Sequence, residues 1–126
     1  MKLDIDCVRD ILLEFEDLPV GCHTPYSFPK SISENGIENV EYTLAKLKEA
    51  GYINADIRLY PSGQYDYCGI YNMTFSGHQF IEKIRDNKVW AKTKTVAAGV
   101  GSFSFDLITQ IATSVITGLI SRHLNL

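Results

Sequence analysis

The sequence predicts an α+β fold, and three observations carry that prediction. Apolar residues recur at three- and four-residue steps in several segments. A central stretch changes to a period of two around a Pro-Ser-Gly turn. A long uncharged helical stretch closes the chain. The 126 residues allow one domain with an appendage. With 45 % apolar and 21 % charged residues, the chain has the composition of a folded protein and buries a core without metal or disulfide support.

The first helix is read from Ile5, Val8, Ile11, Leu12 and Phe15, which form one apolar stripe. Asp4 or Asp6 supplies the carboxylate that meets free N–H groups at its start. Pro19 and Gly21 end it. Residues 19–32 read as a loop with Pro19, Pro25 and Pro29, and Tyr26-Ser-Phe28 as a short extended piece. The second helix carries Ile37, Val40, Leu44 and Leu47 inward. Asn35 and Glu38 resemble a capping box at its start, and Gly51 suits a left-handed C-terminal residue. Ile57 and Leu59 alternate with Arg58 and Tyr60 before the turn Pro61-Ser-Gly63. Tyr67 to Met73 then supplies the second strand. Thr74 caps a third helix, with Phe80, Ile81 and Ile84 inward, which continues or kinks through Asp86-Asn87 toward Trp90. The last helix runs from about Phe105 to Leu124.

Helix, loop, helix, hairpin, helix is the order of a winged-helix domain with one more helix appended. The predicted organisation is a winged-helix-like domain over 1–94, a linker over 95–102 and a C-terminal amphipathic helix over 103–126. The stretch before the recognition helix, about Pro29 to Asn35, reads as barely one turn. That is short for the helix that braces a DNA reader against the backbone.

The run Met73-Thr-Phe-Ser-Gly-His-Gln-Phe80, then Ile84-Arg-Asp-Asn-Lys-Val-Trp-Ala-Lys-Thr-Lys94, resembles the bacterial and phage family called domain of unknown function 2513. The opening Met1-Lys-Leu-Asp-Ile-Asp6, the helix end Ala50-Gly51 and the tail Gly101-Ser-Phe-Ser-Phe-Asp-Leu107 fit the same family. The resemblance implies a winged-helix-like fold and a phage or prophage setting. It carries no activity and no catalytic residues to transfer.

Charge separates along the chain. Residues 1–51 hold five basic and ten acidic groups, residues 52–94 six and four, and residues 95–126 one of each. The net charge of −3 argues against a surface that embraces nucleic acid throughout. Cys7, Cys22 and Cys68 form no C-x-x-C pair, so neither a zinc ribbon nor a redox motif is spelled out, and reduced thiols in the cytoplasm are expected. No secretory leader is expected. Adjacent Cys22 and His23 lack zinc-ligand spacing, so no metal and no cofactor is predicted. There is neither a G-x-S-x-G elbow nor a P-loop, and no enzyme is predicted.

Two candidate surfaces remain. The outward face of the second helix shows Glu38, Asn39, Tyr42, Ala45, Lys46 and Glu49, too acidic for a phosphate backbone. With Tyr65, expected exposed at the hairpin turn, Glu38, Tyr42 and Lys46 are the candidate partner-binding residues. Tyr71 is expected to pack inward. The alternative surface is basic: Arg85, Lys88 and Lys92 at helical steps, joined by Arg58 on the wing, as candidate phosphate contacts of a DNA-binding regulator.

The last helix pairs Ile108, Ile111, Val115, Ile116, Leu119 and Ile120 along a broad stripe opposite an uncharged face. Its 15-residue uncharged run, Leu107 to Ser121, falls short of the roughly 20 apolar residues a membrane span needs. Homo-oligomerisation through this stripe, a dimer first, is the expected use.

Overall fold

The structure, a computed structural model, describes residues 1–125. Among these it is α+β, with six α-helices and one two-stranded antiparallel hairpin. The chain divides into two compact units, Met1–His78 and Gln79–Leu126, so the boundary falls inside a helix.

In the first unit, α1 spans Ile5–Glu16 and is capped by Asp4, whose Oδ1 accepts from the Asp6 N–H at 2.9 Å. A short 3₁₀ turn, Pro25–Ser27, stands where an extended piece was expected, because the Ser27 and Phe28 N–H groups turn back onto Thr24 O and Pro25 O. The expected single turn before the next helix is also corrected. Pro29–Asn35 is a seven-residue helix, α2. Pro29 at its first position and Gly36, with φ +83°, mark its two ends.

Helix α3 spans Ile37–Ala50, and Gly36 precedes it with no side-chain cap. The Asn35–Glu38 capping box does not form, because Asn35 closes α2 and its amide donates to Asp10 Oδ2 and Ser31 O instead. Gly51 ends α3 in the left-handed region, and the Tyr52 N–H reaches Leu47 O at 3.0 Å. Strands β1 (Ile53–Leu59) and β2 (Tyr65–Met73) pair through two register shifts, at Asn54/Ala55 and Asp56/Ile57. These bulges break the alternation in the first half of β1, and Leu59, at the turn end of the strand, lies outside. A further two-bond bridge joins His23 to Ile70, so the loop after α1 adds a one-residue third strand.

Helices α1, α2 and α3 pack pairwise, with β1 on α3 and β2 on α1. Val8, Ile11, Leu12, Phe28, Val40, Leu44 and Ile70 have no exposed surface. Cys7 joins them; burial pushes its thiol up to about 11.

Helix α4 spans Phe75–Ile84 and crosses the unit boundary. Thr74 Oγ1 accepts from the Gly77 N–H and donates to Gly51 O. Gly77 lies so close to Tyr52 O that a Cβ there would collide with backbone.

In the second unit, α5 spans Asn87–Val100 and α6 spans Phe105–His123. The predicted linker 95–102 is therefore helical as far as Val100. Ala97 is fully buried, and Gly101, in the left-handed region, supplies the stop. A short turn then returns the chain along α5, and the two helices pack as an antiparallel hairpin. Ser104 caps α6 through the Leu107 N–H. Phe80 and Phe105 stack with centroids 5.0 Å apart. Thr113 and Thr117 on α6 each donate the hydroxyl to the carbonyl four residues back, both at 2.8 Å.

Thr93 Oγ1 is buried and finds no hydrogen-bond partner among the described residues. Thr93→Val keeps the shape and removes the orphaned hydroxyl. It is expected to raise unfolding stability by about 1 kcal/mol in urea titrations, whereas a loss of stability would show that the hydroxyl is bonded.

Candidate functional site

The α3 surface is narrower than its sequence suggests. Glu38 is exposed, but Tyr42 and Lys46 are half-buried and Ala45 is buried. Ile37, expected inside, is only half-buried. Lys46 Nζ sits 2.8 Å from Glu49 and 5.3 Å from the centre of the Tyr42 ring. That hydrogen bond to Glu49 is the main reason its ammonium is held more basic than usual. The cation is thus neutralised locally.

The hairpin reaches the same surface. The Tyr67 hydroxyl donates to Glu41 O at 2.5 Å, and burial pushes its ionisation upward. Tyr65 is half-buried beside Tyr67, 6.2 Å between ring centres, not the exposed aromatic expected. Tyr71, expected to pack inward, is instead exposed, as is Tyr60, and it folds over Gly69, where no Cβ stands. Tyr42, Tyr65 and Tyr67, with the Lys46–Glu49 pair and the Glu41 carbonyl, therefore make one aromatic patch where α3 meets the hairpin.

The basic ridge is divided. Arg85 lies between α4 and α5, since Asp86 Oδ1 accepts from the Lys88 and Val89 N–H groups and starts a new helix. Arg85 is paired with Glu82. Arg58 lies 3.3 Å from Asp56 on its own strand. Lys88 and Lys92 remain together on one face of α5 and are exposed.

These two lysines line a groove of about 520 Å³ between α5 and α6. Val89 and Val96 line it from α5, and Leu107, Ile111, Val115 and Leu119 from α6. Arg122 completes a set of three cations, and among the described residues no carboxylate lines the groove. Arg122 carries no signal in the sequence: it stands 30 residues beyond Lys92 and shares the groove with it only through the helical hairpin.

The predicted α6 stripe divides as well. Ile108 and Ile111 are buried, Val115 and Ile116 are half-buried, and Leu119 and Ile120 are 44 % and 51 % exposed. Among the described residues no group of His, Cys, Asp and Glu is placed to hold a metal ion, and no helix is long and apolar enough to cross a membrane.

Fold and surface together define an α+β chain with an acidic hairpin-bearing unit and a basic helical-hairpin unit. Met1–His78 carries six basic and twelve acidic residues, net −6; Gln79–Leu126 carries six and three, net +3. The chain belongs to the family described as hypothetical protein DUF2513, whose model matches residues 2–104. It is also similar to an uncharacterized protein of Haemophilus influenzae, 28 % identical over 129 residues, covering 96 % of this chain and all of the relative. No solved structure matches the chain.

Proposed function

We propose that the protein is a non-enzymatic, cytoplasmic interaction module of winged-helix type, of phage or prophage origin, that self-associates through α6. The order α1–α2–α3–β1–β2, with the His23–Ile70 bridge as a stub of a third strand, supports the winged-helix reading. The observation that carries the self-association is the uncharged outer face of α6, where Ile120 stays half-exposed beside Thr113 and Thr117. The patch of Glu38, Tyr42, Lys46 and Tyr65 is the surface offered to a protein partner.

A DNA-binding reading gains from α2, which is long enough to brace α3. It loses more to charge. The unit holding α3 and the hairpin is net −6, and Arg58 is tied to Asp56.

Light scattering on a sizing column tests the proposal. The expected mass is twice 14.2 kDa. Ile120→Glu should weaken the dimer at least tenfold, about 1.4 kcal/mol, with unchanged circular dichroism. A monomer at every soluble concentration overturns the self-association. Fluorescence anisotropy with random duplex DNA is expected to show no steep salt-dependent binding. If it does, and if Lys88→Glu with Lys92→Glu abolishes it, the DNA reading replaces this one.

A further inference from the structure

The groove between α5 and α6 combines features that a plain helix–helix seam does not need. Its size, about 520 Å³, lies within the range of small-molecule sites. Its floor is aliphatic and its only uncharged polar side chains are Gln110 and Ser114. Around that floor stand Lys88, Lys92 and Arg122, with no ion pair and no carboxylate in the lining among the described residues. Three like charges at the edge of an apolar trough raise its potential and favour an anionic occupant.

The cations are also segregated. Lys88 and Lys92 lie in the first half of α5, and Arg122 in the last turn of α6. The hairpin is antiparallel, so all three fall toward its open end. Val96, Leu107 and Ile111 fall toward its closed end. Duplex DNA asks for cations along the whole surface and has no use for an aliphatic floor. A head-and-tail distribution matches a single-chain amphiphile with an anionic head.

From this we infer that the α5/α6 groove binds a free long-chain fatty acid. The carboxylate sits among Lys88, Lys92 and Arg122, and the chain lies on Val96, Ile111 and Val115 toward Leu107. Ile111, Val115 and Leu119 of the predicted oligomerisation stripe line this groove, whereas Ile120, the half-exposed residue on the outer face, does not, so a variant at Ile120 tests the two separately.

The test is calorimetric titration of the full chain with sodium dodecanoate below its micelle concentration, with dodecanol and dodecyltrimethylammonium as controls. Dodecanoate is expected to bind one per chain, and each control at least tenfold more weakly. Lys88→Glu with Lys92→Glu should weaken dodecanoate at least tenfold. Leu119→Asp, at a position already 44 % exposed and so tolerant of a charge, should do the same with an unchanged melting curve. The dimer-weakening Ile120→Glu should leave binding intact, which separates this site from the oligomer. Absent binding, equal binding of dodecanol, or indifference to the groove variants overturns the inference. Binding to phosphatidylglycerol vesicles without binding of dodecanoate overturns it in favour of a lipid surface.

Discussion

Phe28→Ala is expected to destabilise the protein by about 3–5 kcal/mol, most of the stability of an ordinary domain. Phe28 has no exposed surface. Its ring meets the edge of Phe15 at 5.2 Å and 70°. It stands at the junction of the 3₁₀ turn and α2, where its N–H bonds Pro25 O and its carbonyl accepts from the Ile32 N–H. Alanine keeps those backbone bonds, so the loss is packing: apolar surface returned to water and a cavity left beneath two helix ends. Urea unfolding followed by circular dichroism measures it. Because the alanine variant sits near the limit of folding, Phe28→Leu is the second reading, expected to cost about 1.5 kcal/mol. A cost below that for alanine would show that the neighbouring helices close the gap.

Glu14→Ala should cost about 2–3 kcal/mol, unusually large for a half-exposed acid. One Glu14 oxygen accepts from the Ser31 N–H at 2.9 Å and the Ser31 hydroxyl at 2.8 Å. The other accepts from the Lys30 N–H at 3.0 Å. Phe28, at the N-cap of α2, has no capping side chain, so α1 supplies the carboxylate that α2 lacks. Removing it leaves two backbone donors of the first turn, and the Ser31 hydroxyl, without their acceptor. Glu14→Gln keeps an acceptor but loses the charge, and about 1 kcal/mol is expected. Amide exchange resolves the mechanism: Ser31 and Ile32 should lose protection before the α3 amides do. Uniform loss across α1–α3 would mean the carboxylate serves general stability and not the α2 start.

These two residues also show what was readable in the sequence. Helices α1 and α3, the caps at Asp4 and Thr74, and the stop at Gly51 are local devices. Their donors and acceptors lie within a few residues, and periodicity exposes them. Helix α2 is capped from 17 residues away, so nothing near Pro29 announces it. Asp86 interrupts the basic ridge because it is a better helix start than a surface counter-charge, a choice that spacing alone does not reveal. The helix beyond Lys94 was masked by Gly99 and by the small residues around it, whose burial at Ala97 depends on α6 folding back. The candidate groove was half visible, as Lys88 and Lys92. Its third cation and its floor come from a helix that only the hairpin turn brings near.

The hydroxyls of Thr113 and Thr117 have a consequence for how α6 meets its surroundings. Each has already spent its only proton on the carbonyl one turn earlier. Their oxygens can still accept from water, but they have no proton left to donate. Hydropathy scales count such residues as thirsty, yet this surface has few protons left to offer water. Drying it on contact with another surface would break none of those bonds. At these two positions the polar side of α6 therefore resists wrapping less than its composition suggests.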